Sequence, residues 1–199
     1  YCLALARAVG IEAAQATIAP AGSRKALCVL RYDRRLSEQG RVLRLHQEDF
    51  AQANGVPPGR KYEHGTLAGP SLAQILATGH SLPPKDTLAL LDQVLFNILV
   101  ANTDAHAKNY SILRPVGGSL HLAPLYDVST VLAWDHVVQT LAQKIAGKKR
   151  RPADIAARHW DAIAADANYR PADLRKRVQE LADAFVAKRV EVTRAVSGL

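Results

Sequence analysis

The sequence is poor in residues that mark several common classes of protein. Its 199 residues include only two cysteines, Cys2 and Cys28, and no methionine at all. Two isolated cysteines supply neither a disulfide framework nor the spacing of a metal site, so we expect both to be reduced, buried side chains in a cytosolic protein. Because the chain begins at Tyr1 without a methionine, we also expect it to be a fragment of a longer protein.

Long apolar runs and phosphate-binding signatures are missing as well. No segment approaches the roughly 20 apolar residues of a membrane span, and the N-terminus lacks the charged-then-apolar pattern of a signal peptide. The sequence contains no G-x-G-x-x-G segment, no Walker A pattern and no obvious strand lysine ahead of a phosphate loop. We therefore expect no membrane partner, and we expect any phosphate-binding loop to lie upstream of residue 1.

What is present indicates a folded, basic protein. Apolar residues make up 48% of the chain, which is typical of a globular protein, and 199 residues suit one domain or a lobe with an attached helical bundle. The net charge is +8. Much of it lies in two clusters, and such a cluster is either a phosphate- or DNA-binding patch or a solvated surface. The clusters are Lys144, Lys148, Lys149, Arg150 and Arg151, and then Arg175, Lys176 and Arg177.

The first 45 residues predict one helix and a short strand region. Residues 1–15 have the apolar spacing of an amphipathic helix. Lys25–Asp33 is dense in residues that favour strands, and Arg41–Leu45 alternates in the same way. We expect these two segments to pair with each other across a turn at Ser37–Gly40.

The rest of the chain is expected to be mostly helical. The strongest pattern is Pro84–Ala101, where a broad apolar face predicts the central core helix. Tyr110–Ala123 predicts a β-hairpin that turns at Gly117-Gly118. Further helices are predicted from His46 to Gly55, from the N-cap Ser71 to Gly79, from Asp154 to Ala167 and from Pro171 to Val196.

The candidate chemistry follows the predicted core helix. Residues 102–109 read N-T-D-A-H-A-K-N, and Asp104 and Asn109 have the spacing of the aspartate and asparagine in a protein-kinase catalytic loop. A second acidic segment, P-L-Y-D, ends at Asp127 after the hairpin. The ends of paired strands lie about 5 Å apart, so Asn109 and Asp127 are expected to share one end of the hairpin. There they can bind Mg²⁺ together with phosphate and water, while Asp104 faces the attacking hydroxyl.

Neighbouring residues have ordinary interpretations beside the functional ones. Lys108 can offset the charge of a γ-phosphate, and His106 can contact a phosphate or orient Asp104, yet a histidine in a polar loop often only forms hydrogen bonds. Tyr32 and Tyr126 can contact an adenine ring or belong to the core. Asp and Asn are also common in loops because they bond to their own backbone. With no second His or Cys at zinc-ligand spacing, a zinc site is not expected.

A series of motifs runs in order from Cys28 to Tyr169. They are V-L-R-Y-D-R, L-H-Q-E-D-F-A-Q-A-N-G, K-Y-E, F-N-I-L-V-A-N-T-D-A-H-A-K-N-Y-S-I-L, L-A-P-L-Y-D-V, L-A-Q-K-I-A-G-K-K and R-H-W. Together they closely resemble the HipA family, the serine/threonine-kinase toxins of type II toxin–antitoxin systems. The resemblance implies an α+β, protein-kinase-like fold. Residues 1–45 would be a remnant of the N-terminal lobe with its hinge strand, and 46–199 a mostly helical C-terminal lobe with a catalytic β-hairpin.

The resemblance also implies roles for individual residues. Asp104 would be the catalytic aspartate in a loop over 102–109, and Asn109 and Asp127 would be the magnesium ligands, with a metal loop over 124–129. Leu30 falls in the hinge, where the family usually has Glu, a departure that backbone contacts tolerate. ATP would be bound by Leu30, Arg31 and Tyr32 at the hinge, and by His106, Ala107, Lys108, Asn109, Tyr126 and Asp127.

The activity implied is transfer of the ATP γ-phosphate, with Mg²⁺, to a serine or threonine of a protein such as glutamyl-tRNA synthetase, which arrests growth. The implied partners are a HipB-type helix-turn-helix antitoxin and, through it, operator DNA. One alternative is an inactive lobe that serves as an antitoxin- or DNA-associated binding module. Another is a small-molecule kinase of the aminoglycoside-phosphotransferase type, which the motifs outside the loop disfavour.

Overall fold

The computed structural model describes residues 1–64 and 67–197 of the chain. Its helices are α1 (Cys2–Ala8), α2 (Phe50–Ala53), α3 (Leu72–Gly79), α4 (Pro84–Leu99), α5 (Ala157–Asp166) and α6 (Pro171–Ser197), with 3₁₀ turns at Ala107–Asn109 and Pro152–Asp154. Its strands are β1 (Ala16–Ala21), β2 (Arg24–Val29), β3 (Arg34–Leu36), β4 (Val42–Arg44), β5 (His46–Asp49), β6 (Ser111–Arg114) and β7 (His121–Leu122). Among these described residues, no helix is both long and apolar enough to cross a membrane.

Helix α4 lies at the centre of the core, as its apolar face predicts. Pro84 occupies the first turn, where its missing N–H costs nothing, and Asp86 lies at the positive end of the helix dipole. Leu90 and Leu95 are fully buried. The helix ends at Leu99, close to its predicted end, and delivers the chain directly into the predicted catalytic loop.

Helix α1 is shorter than the helix predicted over residues 1–15. The chain leaves the helix at Gly10, whose φ of +88° suits glycine, and continues as an extended segment. Leu5 and Ile11 are buried in the same core as α4 and α6. The N-terminal segment therefore packs with the helical body, and a domain boundary between residues 45 and 46 stays a prediction.

The strand predicted over Lys25–Asp33 forms, but it pairs with a different partner. β2 pairs with β1, and the segment expected to be its partner pairs as β4 with β3. The turn at Ser37–Gly40 lies where it was predicted, between β3 and β4. The expected pairing was wrong because β2 has a nearer partner: a short turn with Gly22 at φ +64° closes the β1–β2 hairpin with a smaller loop.

The β1–β2 hairpin presents apolar side chains to solvent. Leu27 is 68% exposed although the apolar sequence of its strand is typical of a buried one. Cys28, its neighbour, is exposed as well, so the expectation of buried cysteines is confirmed for Cys2 and wrong for Cys28. A dense apolar run does not by itself show which face of a two-stranded sheet is covered.

The hairpin predicted over Tyr110–Ala123 is confirmed, and it belongs to a three-stranded sheet. β6 pairs with β7, and the connection includes Gly117 at φ +70°. β5 pairs with the other edge of β6, so His46–Asp49 is a strand and the prediction of a helix start there was wrong. The helix begins only after Asp49, which caps it in a reciprocal pair of hydrogen bonds with Gln52.

The other predicted helices are confirmed to within a few residues. Ser71 caps α3 by accepting from the N–H of Gln74 over 3.1 Å. α5 starts later than predicted because a 3₁₀ turn occupies Pro152–Asp154. α6 packs against α1 and α5 through buried residues that include Leu174 and Leu181.

Candidate functional site

The predicted catalytic loop begins at a left-handed turn at the end of α4. Ala101 has a φ of +57°, a conformation that costs a non-glycine residue about 1–2 kcal/mol. Its N–H donates to the carbonyl of Ile98, and the N–H of Asn102 donates to the carbonyl of Asn97 over 2.8 Å. These bonds satisfy the last carbonyls of the helix and direct the chain toward Asp104.

A buried chain of amides fixes the loop from within. Asn97 donates from Nδ2 to the hydroxyl of Tyr110 over 3.1 Å, and Asn102 donates from Nδ2 to Oδ1 of Asn97 over 2.9 Å. The N–H of Asp104 donates in turn to Oδ1 of Asn102 over 3.2 Å. Burial raises the pKa of Tyr110, so its hydroxyl stays protonated. Sequence reasoning missed this network, although an amide on an otherwise apolar helix face was a usable signal.

Asp104 lies at the rim of the site with its side chain 57% exposed. The hydroxyl of Tyr62 donates to its Oδ1 over 2.5 Å, and Nδ2 of Asn109 donates to its backbone carbonyl over 2.8 Å. Burial, together with this carboxylate, raises the pKa of Tyr62 to about 12. The carboxylate is thus held in place and remains open to solvent. Sequence reasoning missed Tyr62, which lies 42 residues upstream in an irregular segment.

His106 is buried behind Asp104. Its Nε2 lies 3.9 Å from Oδ1 of Asp104, and its ring meets the ring of Tyr62 edge-on with the centroids 5.1 Å apart. Burial lowers the pKa of His106; Asp104 and Asp127 oppose this shift, and Lys61 adds to it. The imidazole is therefore neutral near pH 7.

Asp127, a predicted metal ligand, follows a tethered segment. The N–H of Ala14 donates to the carbonyl of Leu125, and the N–H of Leu125 donates to the carbonyl of Glu12, each over 2.8 Å. Asp127 itself has a φ of +54°, an uncommon conformation that Asp tolerates and that concentrates at functional sites. The charges of Asp127 and Asp104 both oppose the lowering of the His106 pKa, and Oδ1 of Asp104 lies 3.9 Å from Nε2 of this ring.

Asn109 and Asp127 carry the oxygen donors that Mg²⁺ prefers. Asn109 is buried in the 3₁₀ turn, and its Nδ2 is bonded to the Asp104 carbonyl, which leaves Oδ1 as the atom for a cation. Within residues 1–64 and 67–197, no group of three or more His, Cys, Asp or Glu side chains is arranged to hold a metal ion. Mg²⁺ at this position would therefore need phosphate and water oxygens besides these two ligands, as is usual at nucleotide sites.

A cleft of about 520 Å³ opens beside the predicted catalytic loop. Three of the predicted nucleotide-binding residues, Arg31, Lys108 and Tyr126, line it. The ring of Tyr32 lies 5.8 Å from the ring of Tyr126, and the Tyr126 hydroxyl donates to the carbonyl of Lys108 over 2.6 Å. Leu30 is 67% exposed and is not among the described residues that line the cleft.

The cleft also contains residues that sequence reasoning missed. Asp33 accepts hydrogen bonds from Arg31 and Arg34, and the bond from Arg31 above all lowers the pKa of Asp33. Ala107, which was predicted to contact the nucleotide, is not among the described residues that line the cleft. It is fully buried, and its N–H donates to the carbonyl of Lys61 over 3.3 Å. Further lining residues are Arg44, Leu45, His46, Gln47, Asp49 and Gln52.

Sequence comparisons place the chain among known proteins. The model of the HipA-like C-terminal domain matches residues 1–189. The Sinorhizobium fredii protein "Putative kinase Y4mE" is 38% identical over 186 residues, which cover 92% of this chain and 43% of that protein. The "Serine/threonine-protein kinase toxin HipA" of Shewanella oneidensis is 35% identical over 153 residues, which cover 71% of this chain and 35% of the toxin.

Solved structures confirm the predicted fold. HipA of Shewanella oneidensis, in a complex with HipB and operator DNA, superposes with a TM-score of 0.87 at 29% identity, covering 96% of this chain and 47% of that one. The Helicobacter pylori proinflammatory kinase CtkA, at 12% identity and a TM-score of 0.56, shares the fold alone and is covered over 82% of its chain. The fold is α+β and kinase-like. The chain spans less than half the length of the two curated relatives described above.

Proposed function

This chain belongs to the family of HipA-like C-terminal domains, and we propose that it acts as the catalytic lobe of an ATP-dependent serine/threonine-protein kinase. The arrangement of Asp104 carries the proposal: Tyr62 and Asn109 hold the residue from two sides while its side chain stays 57% exposed. A carboxylate that is both fixed and open can orient an incoming serine or threonine hydroxyl and accept its proton.

The neighbouring residues would hold the nucleotide phosphates. Asn109 and Asp127 would bind Mg²⁺, which supplies neutralisation of the charge on the transferred phosphoryl group. Lys108 adds a positive charge on the cleft side of the loop. His106, neutral and buried behind Asp104, would fix the loop without adding a charge.

The cleft is proposed to take the base and ribose of ATP. Tyr126 and Arg31 line the cleft, and the ring of Tyr32 lies 5.8 Å from that of Tyr126, so the two tyrosines offer flat surfaces. The N–H of Leu30 already donates to the carbonyl of Gln15, so a hinge contact at this residue would use its own carbonyl. Ala107 would contribute through its backbone only.

The relatives suggest the biological setting. HipA of Shewanella oneidensis is named a serine/threonine-protein kinase toxin and has been seen with HipB and operator DNA. We propose that the protein containing this chain is likewise a cytoplasmic toxin that binds a HipB-type antitoxin and, through it, operator DNA. Phosphorylation of a protein such as glutamyl-tRNA synthetase, with growth arrest as the result, belongs to the same proposal.

Removing the carboxylate of Asp127 tests the site. Asp127→Asn keeps a residue that tolerates the left-handed backbone but removes the charge that Mg²⁺ needs. We expect it to weaken Mg²⁺-dependent ATP binding by at least about tenfold, as measured by calorimetry on the protein in its full reading frame. Asp135→Asn, an exposed position with the same charge change, is the control. An unchanged Mg²⁺ dependence in Asp127→Asn would remove the metal assignment.

A second candidate function is a non-catalytic module that binds antitoxin or DNA, and the basic residues between Lys144 and Arg151 favour it. This candidate allows no phosphate transfer. Incubation of the full protein with labelled ATP and a candidate protein substrate separates the two functions.

A further inference from the structure

The first basic cluster lies on an ordered loop, which we call the basic loop and define as residues 141–151. At its tip, Ile145 and Lys148 exchange backbone hydrogen bonds around Ala146 (φ +51°) and Gly147 (φ +71°), the pattern of a tight hairpin turn. At its base, the N–H of Leu141 donates to the carbonyl of Arg150 over 2.9 Å. The exposed lysines at the tip are therefore presented by a fixed backbone.

The cations of the basic loop form no ion pair within the described part of the chain, although the charge of Lys144 acts on the carboxylate of Glu63. Among the ion pairs of the described residues, none involves a lysine or arginine of this loop. Arg150 donates instead to the carbonyl of Ile145 over 2.9 Å. Lys148 and Lys149 are exposed. Exposed cations such as these, held on a fixed turn without an ion pair in the described part of the chain, form a surface that favours an anionic partner.

The basic loop is joined to the segment that covers Asp104. The N–H of Lys144 donates to Oε2 of Glu63 over 2.7 Å. Glu63 follows Tyr62, whose hydroxyl donates to Asp104. The ring of Tyr62 is stacked on the ring of His64, with the centroids 5.5 Å apart.

The segment that carries Tyr62 and His64 lies beside lysines of the basic loop. Lys144 is bonded to Glu63, and the neighbouring Ile145 is paired across the turn with Lys148, so the tip of the basic loop starts beside the segment that carries the stack. Burial lowers the pKa of His64, and the charges of Lys149 and Lys144 lower it further. Contacts thus lead from Asp104 through Tyr62 and Glu63 to the basic loop.

We propose that the basic loop binds acidic residues that flank the phosphorylated serine or threonine in the protein substrate. This inference rests on the proposed kinase function and extends it to substrate specificity. An extended peptide advances roughly 3.3 Å per residue, and the path from Asp104 across one hydrogen bond and one ring stack is on the order of 10–15 Å. Acidic residues about three to five positions from the phosphoacceptor would therefore reach Lys148 and Lys149.

The surroundings favour an acidic peptide over a nucleic acid. A nucleic acid would place a phosphate at every step of this path, including beside the carboxylates of Glu63 and Asp104, whereas a peptide can place its acidic residues at the lysines alone. Single-stranded nucleic acids are usually held by aromatic rings that are free to stack on bases. Tyr62 is not free in this way, because His64 covers one face, His106 meets its edge and Lys61 lies 5.0 Å from its centroid.

A binding assay with matched charge variants tests the proposal. Two labelled peptides of about twelve residues carry a central serine, one with three Glu on each side and the other with Gln in the same places. We expect Lys148→Gln/Lys149→Gln to weaken binding of the Glu peptide by about three- to tenfold in fluorescence anisotropy, and to abolish the preference over the Gln peptide. Arg175→Gln/Lys176→Gln removes the same two charges elsewhere and should change binding less than about twofold. Melting curves establish that both variants are folded.

Each other result of this assay overturns the proposal. Equal weakening in both double variants would mean that net charge alone attracts the peptide. A single-stranded RNA or DNA of similar length that binds more tightly than the Glu peptide, and loses that binding in Lys148→Gln/Lys149→Gln, would assign the loop to nucleic acid. The assay requires neither ATP nor phosphate transfer, so its failure would leave the outcome for Asp127→Asn, and with it the proposed kinase function, untouched.

Discussion

The two basic clusters look alike in the sequence and differ completely in the structure. On α6, Arg175 pairs with Asp161, Lys176 with Glu180, and Arg177 with both Asp92 and Glu180. The basic loop, which contributes five cations, has no such pair within the described part of the chain. The α6 cluster therefore holds helices together, whereas the basic loop presents Lys148 and Lys149 to solvent. A net charge of +8 does not locate function; the position of the opposing carboxylates does.

Removing the main ion pair of the α6 cluster should destabilise the fold, and this is the largest effect we expect. Arg177 donates from Nε and from a terminal nitrogen to the two oxygens of Asp92 over 2.8 and 2.7 Å, which ties α6 to α4. We expect Arg177→Met to lower the free energy of unfolding by about 1–2 kcal/mol in urea titrations, since paired bonds of this kind are stronger than a single surface contact.

Lys176 provides the matched control for that variant. Its nitrogen lies 4.0 Å from Glu180 in an exposed pair, so Lys176→Met should cost less than about 0.5 kcal/mol. Equal losses in the two variants would show that α6 needs positive charge in general and not the specific pair with Asp92.

Tyr62 lies between the basic loop and Asp104, and we expect its hydroxyl to affect the rate of phosphate transfer. Tyr62→Phe keeps the stack on His64 but removes the hydrogen bond to Asp104. In the full protein we expect kcat for phosphate transfer to fall about tenfold with little change in KM for ATP, because the carboxylate loses its orientation. His64→Ala, which removes the stack and keeps the hydroxyl, should reduce kcat much less. A fall in kcat that is the same in both variants would assign the effect to packing.

The smallest effect we expect is a change in the pKa of His64, which tests whether Lys149 of the basic loop lies beside its ring. Since burial and the nearby lysines hold the pKa of His64 below 6.5, folding is weakened as the pH falls below that value. Lys149→Gln should raise the pKa of His64 in an NMR titration, because the imidazolium no longer faces that cation. Arg175→Gln should leave it unchanged. If Lys149→Gln left the pKa of His64 where it is, the lysine would not lie beside the ring.

The sequence predicted the parts of the fold that local chemistry determines. α4 has strong apolar periodicity, Ser71 has a capping partner three residues on, and the hairpin after residue 110 has its glycine turn. β2 was assigned the wrong partner because strand pairing depends on which loop closes most easily. His46–Asp49 was read as helical since its capping residue, Asp49, also ends a strand, and only the presence of β6 decides between the two.

The candidate site, like the fold, was predictable only in part. Spacing alone singled out Asp104 and Asn109, and the hairpin geometry added Asp127. The supporting residues were not predictable from spacing, because Tyr62 approaches Asp104 through an irregular segment and Asn97 acts across a buried amide network. Their contribution depends on tertiary contacts: an amide on an apolar helix face marks Asn97 as unusual, but the local pattern does not identify its partners. The roles assigned to the site residues stay predictions until the variants are measured.

The bridge between the start of the chain and the hairpin exit has a mechanical consequence. The backbones of Glu12 and Ala14 form two hydrogen bonds with the backbone of Leu125, which lies two positions before the left-handed residue Asp127. A load on the first residues of the chain would first meet the packing of α1, where Leu5 is fully buried, and only then this bridge. Loss of the two hydrogen bonds would loosen the backbone just before Asp127, the proposed magnesium ligand, and would leave the hydrogen bonds at the end of α4 intact.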